Sequence, residues 1–290
     1  MRPLRLATRG SAQATAQAES VAAALRATGL AVELTLVETT GDRRQDVPLH
    51  SIGGEGVFVK EVQLALLDGR ADLAVHSAKD MRSTPEEGLL LAAFCERRTA
   101  ADALIGRRLI DLAAGATVAT GSVRRRSQIA RARPDVRFEE LRGNIQTRLQ
   151  KVPPDGAIVM AVAALEILEL TDRIAEILDP AEFVPAVGQG CVAVECRADD
   201  GDVAGALAAI DHAQTRREVE IERAFLAELG SGCSLPVGAY VDGHKLHTFL
   251  AGEESGVIVS ETIELSGAPE DEREIARQAA RDARDVVTVG

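Results

Sequence analysis

Apolar and polar positions along the chain alternate between two periods. RPLRLAT, from residue 2, has the two-residue alternation of a strand, and GSAQATAQAESVAAALRATG, from residue 10, reads as a helix. Ser11 is placed to cap that helix at its start and Gly29 at its end. AVELTLVET predicts a second strand, GVFVKEVQLALLDGR a second helix, and ADLAVHSA a short buried strand. A β-α-β-α-β order predicts a parallel sheet with helices on its faces.

A second α/β unit opens near residue 98. ATVATGS predicts a strand running into a turn, SVRRRSQIARARP an arginine-rich helix, IQTRLQKV a helix, and GAIVMAVAAL an apolar strand. GCVAVECR, residues 190–197, predicts one more strand, which could rejoin the first sheet. The tail differs. TRREVEIERAFLAELG is an amphipathic helix, PVGAYVDGHKLHTFLAG a hairpin with Asp242 and Gly243 at its turn, VIVSETIELSG a third strand, and PEDEREIARQAARDARDVV a closing helix. That is a small α+β domain.

The 290 residues suffice for two or three domains, and 46% are apolar, but only 2% are aromatic. The cores must therefore be built from Ala, Val, Leu and Ile. A net charge of -12 argues against a general nucleic-acid binder, without excluding a local basic pocket. The first twenty residues hold no apolar signal core, and no segment reaches about 18 uninterrupted apolar residues. The expectation is a soluble cytoplasmic protein with no membrane partner. Cys95, Cys191, Cys196 and Cys233 show no CxxC spacing, which argues against structural zinc and a disulfide framework.

Charge becomes informative locally. Residues 120–149, TGSVRRRSQIARARPDVRFEELRGNIQTRL, hold eight arginines against three acidic residues. Thr120, Gly121 and Ser122 fall at a strand-to-helix junction, where backbone N–H groups, hydroxyls and the positive helix end suit an anion. Arg124 and Arg125 follow in the first turn, and Arg142 and Arg148 lie further on. The planar guanidinium matches a carboxylate bidentately, so forks from several elements would suit a ligand with many carboxylates. A solvated basic helix face is the competing reading.

In AVHSAKD, residues 74–80, a buried strand ends at His76, Ser77, Lys79 and Asp80. Ligands of open parallel sheets bind beyond the carboxyl ends of the strands. Asp80 could stabilise a cation or move a proton, and Lys79 could meet a carboxylate. Alternatively, Asp80 caps a turn and His76 packs in the core. TTGDRR, residues 39–44, reads as a polar loop. Cys233 stands in GSGCSLP, with no sequence-local base to activate it. Its flanking glycines imply close approach by something bulky, so a covalent attachment point competes with a plain loop thiol.

Nine stretches occur together in order: ATRGS, TTGD, GGEGVFVKE, ADLAVHSAKD, ATGSVRRR, LRGNIQTRL, PAVGQG, ECR and GSGCSLPVGAY. Together they resemble the hydroxymethylbilane synthase (porphobilinogen deaminase) family over nearly the whole chain. The resemblance implies two α/β lobes like those of type II periplasmic binding proteins, here residues 1–96 with 190–210 and residues 97–189. A small α+β domain, residues 211–290, would carry the cysteine. It implies a transferase that links four porphobilinogen molecules head to tail, losing one ammonia each, and releases a linear tetrapyrrole by hydrolysis.

It also implies a dipyrromethane cofactor on Cys233, a catalytic carboxylate at Asp80, and no metal. Arg9, Ser11, Lys79, Thr120, Ser122, Arg124, Arg125, Arg142 and Arg148 would hold the pyrrole carboxylates. A monomer is expected. Four places depart from the family pattern: Ser51 and Glu55 stand where many members have lysines, Ile167 where many have arginine, and Met81-Arg82 where many have an aliphatic residue and proline. Lost cations would weaken carboxylate binding, and Arg82 could compensate. A non-catalytic two-lobed anion-binding protein and a nucleic-acid binder using residues 124–148 are the rivals.

Overall fold

The computed structural model describes residues 2–39, 59–230, 236–252 and 255–289. The chain forms two compact units, Met1–Arg98 with Cys191–Arg217, and Thr99–Gly190 with Glu218–Gly290.

In the first unit a five-stranded sheet runs in the order Val32–Val37, Leu4–Arg9, Leu73–Ser77, Val192–Arg197, Leu89–Phe94. Val192–Arg197 is antiparallel to both its neighbours, and the other pairings are parallel. The stretch expected to rejoin this sheet does so. Strand alternation sends neighbouring residues to opposite cores. Leu6 and Leu73 pack with Val21 and Leu25 of helix Ala12–Ala27. Ala7 and Ala74 pack with Val62 and Leu66 of helix Lys60–Leu67. Each fully buried leucine contributes roughly 1.5–3 kcal/mol. The first helix is capped as expected: Ser11 Oγ accepts from Ala14 N at 3.3 Å, and Gly29 turns left-handed at φ 92° beyond the last turn.

The second unit repeats this plan. Its sheet runs Arg137–Glu139, Thr117–Ala119, Ala157–Ala161, Asp102–Gly106, Glu176–Ile177, and Asp102–Gly106 is the antiparallel strand. In each sheet the antiparallel strand is the first one after the chain has left the other unit. The run GAIVMAVAAL is not a single strand. It leaves the sheet after Ala161, and Val162–Glu166 is helical, with Val162, Ala164 and Leu165 still buried.

The same unit holds a three-stranded antiparallel sheet, Val237–Asp242, Lys245–Ala251 and Ile258–Glu264. Helices Ala213–Leu229 and Pro269–Val289 accompany it, and Phe225, Leu246, Ala276 and Ala280 share one core. Asp242 pairs with Lys245, so the hairpin loop is Gly243-His244, one residue later than expected, with Gly243 at φ 59°. Buried Glu222 accepts from Gly188 N at 2.8 Å and from Val241 N at 2.9 Å, fixing the long helix to both segments. Among the described residues, no helix is long and apolar enough to cross a membrane.

Candidate functional site

In the first unit the strand Leu73–Ser77 ends in a single 3-10 turn, Ala78–Asp80. Ala78 N donates to Cys191 O at 2.9 Å and Met81 N to Ala78 O at 3.2 Å, which holds the turn against the returning strand. Lys79 and Asp80 are half-buried there. The parallel neighbour Leu4–Arg9 ends at the same edge, followed by Ser11 at its helix cap. Arg9, Ser11, Lys79 and Asp80 thus share the carboxyl edge of one sheet.

His76 does not join them. Its imidazole is buried, with Nε2 3.1 Å from Glu195 Oε2, and both side chains are 3% exposed. The ring N–H does not point in line at that oxygen, so the contact is closer in distance than in geometry. Gln63 Nε2 donates to both Glu195 oxygens, at 3.1 and 2.9 Å. Ser77 Oγ exchanges hydrogen bonds with the Gln17 amide at 3.1 Å.

The second unit holds the arginine-rich segment. Thr120, Gly121 and Ser122 link strand Thr117–Ala119 to helix Val123–Ala132. Thr120 Oγ1 accepts from Ser122 N at 3.2 Å, and Ser122 Oγ accepts from Arg125 N at 3.4 Å. Gly121 is required by space: a Cβ there would lie 2.9 Å from Leu141 O and 3.0 Å from Glu140 Oε1. The LRGN loop follows its own chemistry. Gly143 takes φ 113°, and Asn144 Oδ1 accepts from Thr147 N at 2.9 Å to start helix Ile145–Leu149. Arg148 Nε donates to Gly143 O at 2.7 Å. Arg142 Nε stands 2.9 Å from Glu140 Oε1, yet its buried N–H has no in-line acceptor among the described residues.

Arg124 and Arg125 are buried against a partner that the sequence did not announce. Asp102 Oδ2 accepts from Arg124 Nη2 at 2.8 Å, and Asp102 Oδ1 from Arg125 Nη2 at 2.7 Å and from Gln189 Nε2 at 2.8 Å. Arg124 Nη1 also donates to Val184 O at 2.6 Å, and Arg125 Nη1 to Val159 O at 3.1 Å. Arg124 is therefore committed to protein partners rather than to an open face, while the Arg125 Nε–H has no such partner among the described residues. Burial by itself would raise the Asp102 carboxyl, but the guanidinia of Arg124 and then Arg125, with the hydrogen bonds, hold it well below the usual carboxylate range. Burial pulls Arg124 down, and the adjacent Asp102 carboxylate opposes it. One signal could have found Asp102: it is a lone charge in the apolar run AADALIG.

Cys233, Ser51, Glu55 and residues 40–44 of the TTGDRR loop lie outside the described residues. Ile167 ends the helix Val162–Glu166, and Arg82 pairs with Glu86 at 3.2 Å.

Two protein families match this chain. One, described as "Porphobilinogen deaminase, dipyromethane cofactor binding domain", matches residues 4–205, and "Porphobilinogen deaminase, C-terminal domain" matches residues 216–285. The "Porphobilinogen deaminase" of Acidothermus cellulolyticus is 44% identical over 290 residues, covering 96% of this chain and 88% of that one. The protein of the same name from Syntrophobacter fumaroxidans is 41% identical, covering 98% and 95%. Among solved structures, the "Methionine Binding Protein, MetQ" aligns with a TM-score of 0.46 at 12% identity, covering 73% of this chain and 91% of that one.

Proposed function

The chain belongs to the porphobilinogen deaminase family, and from that premise we propose which of its residues carry the family's reaction. The reaction is the stepwise head-to-tail condensation of porphobilinogen, with loss of ammonia, on a covalent dipyrromethane primer, followed by hydrolysis to hydroxymethylbilane. The observation that carries the reading is the match to both family domains in order along nearly the whole chain.

Dipyrromethane bears acetate and propionate side chains, so a site for it needs donors that are not already satisfied. The buried Nε–H of Arg125, without an in-line acceptor among the described residues, fits that need. When bound, the group supplies the nucleophilic pyrrole carbon onto which the chain is built. Cys233 is the proposed anchor, as a thioether.

The protein's own residues then divide the work. Asp80, at the end of its strand, holds the positive charge that develops as porphobilinogen loses its amine, and takes up the pyrrole proton. Arg9, Ser11 and Lys79 at the same sheet edge bind carboxylates. Thr120, Ser122, Arg125, Arg142 and Arg148 do so in the second unit. Arg124 contributes by holding Asp102, which in turn fixes the Arg125 fork. The three-domain division at residues 1–96 with 190–210, 97–189 and 211–290 is part of this reading. So are a monomeric state and a cytoplasmic setting.

The test is the intact mass of denatured protein beside a Cys233→Ser variant. The expected result is an excess equal to two porphobilinogens less two ammonias, absent in the variant. Protein that stayed unmodified even after incubation with porphobilinogen would remove Cys233 as the anchor.

A further inference from the structure

Glu140 has no part in the chemistry above, and its position is unusual. It follows strand Arg137–Glu139 and turns its carboxylate back over the Thr120–Ser122 turn, with Oε1 3.0 Å from the point where a Gly121 Cβ would stand. The same Oε1 lies 2.9 Å from Arg142 Nε. One carboxylate oxygen thus rests against the Cα of Gly121 and beside a guanidinium.

We propose that Glu140 is a resident occupant of the carboxylate position at Arg142, packed against Gly121, and that it lowers the affinity of that position for ligand carboxylates by competing with them. This inference rests on the functional reading given above. Three features argue for displacement rather than a fixed structural pair. The Arg142 N–H is not aimed at Oε1, so the contact has the distance of a charge-assisted hydrogen bond without its direction. The Glu140 side chain is 53% exposed, and ion pairs at such positions are weak and easily exchanged with solvent. Gly121 has an ordinary negative-φ backbone, so glycine there serves space, and the space is filled by Glu140 and Leu141 O. A ligand carboxylate approaching Arg142 in line would swing Glu140 out to solvent without breaking any backbone hydrogen bond.

The experiment compares wild type with Glu140→Gln and Glu140→Asp as purified holoenzymes. Two readouts are used: steady-state kinetics with porphobilinogen, and calorimetric binding of citrate as a polycarboxylate probe. Glu140→Gln is expected to lower KM for porphobilinogen by about three- to tenfold, with the gain falling on KM rather than kcat. It is expected to tighten citrate binding by a similar factor. Glu140→Asp, whose shorter arm cannot reach the same point, should move both in the same direction by less. Unchanged KM and unchanged citrate affinity would overturn the proposal. Weaker binding in Glu140→Gln would also overturn it, because Glu140 would then be orienting Arg142. If the wild type made no tetrapyrrole, the functional reading would fail, and the citrate measurement alone would still decide the role of Glu140.

Discussion

Asp102 Oδ1 and Arg125 Nη2 meet at 2.7 Å with side chains only 2% and 10% exposed. Arg124 takes the other carboxylate oxygen, so one buried anion serves two buried cations. Removing the anion leaves both guanidinia without a counter-charge in a low-dielectric setting. Asp102→Ala is expected to cost about 3–5 kcal/mol of folding stability. A urea unfolding curve checks this, and a loss below about 1 kcal/mol would mean that solvent reaches the cluster. The Asp102 carboxyl is held below its unfolded value, so its contribution is present above that value and is lost as pH falls. Wild-type Tm should therefore fall more steeply than that of Asp102→Asn below about pH 4.

His76 and Glu195 form a second buried polar cluster, with Gln63 as the third member. It joins helix Lys60–Leu67 to the strands Leu73–Ser77 and Val192–Arg197 beneath the Asp80 turn. Glu195→Ala would strand the Gln63 amide in the core. The expected cost is about 2–3 kcal/mol, since a buried donor without an acceptor costs about 1–3 kcal/mol. Glu195→Gln keeps an acceptor and should cost less. Equal losses for the two variants, measured by denaturant unfolding, would show that charge rather than hydrogen bonding holds the cluster.

The sequence was most legible where local chemistry decides. Ser11 read as a cap because a hydroxyl before an apolar-periodic run has few other uses, and it accepts a backbone N–H, whereas Ser122, read as part of an anion-binding junction, also caps its helix. The strand at 190–197 was readable as a return to the first sheet. Strands Leu89–Phe94 and Asp102–Gly106 gave less, because LLLAAF and DALIG are short runs without a polar alternation to mark a strand. The partner of Arg124 and Arg125 lies 22 and 23 residues earlier in the chain, a separation that no local pattern encodes. The inward turn of His76 depends on Glu195, 119 positions away in sequence, and is legible only once the returning strand is placed.

His247 gives a prediction about acid. Its ring stacks on Tyr240 at 6.2 Å, and Nδ1 lies 2.9 Å from Thr262 Oγ1. Burial lowers its pKa, and Lys245 adds to this while Asp242 opposes it. A histidine with a depressed folded value contributes stability above its unfolded value of about 6.5 and loses it as pH falls. Tm should therefore drop as pH falls below about 6.5 in wild type, and by less in His247→Gln. NMR titration of the imidazole should give a midpoint below about 6.5. A midpoint above that value would mean that Asp242 outweighs burial.

Asp80 is the position on which the proposed chemistry turns. Its carboxylate stands at the end of a parallel strand, on a turn fixed by the Ala78 N–H and the Cys191 carbonyl. Asp80→Asn keeps the size and the hydrogen-bonding oxygen but removes the charge. If that charge stabilises the cationic pyrrole, kcat should fall by at least about a hundredfold, within the range that positioned acid–base groups supply. Asp80→Glu keeps the charge at a longer reach and should recover part of the loss. Intact mass must accompany the kinetics, because a variant that fails to carry its covalent group would be inactive for another reason. A fully loaded Asp80→Asn protein with kcat within about tenfold of wild type would move the catalytic role to a different residue. A loaded but inactive one, with substrate still bound, would place the loss in the chemical step itself.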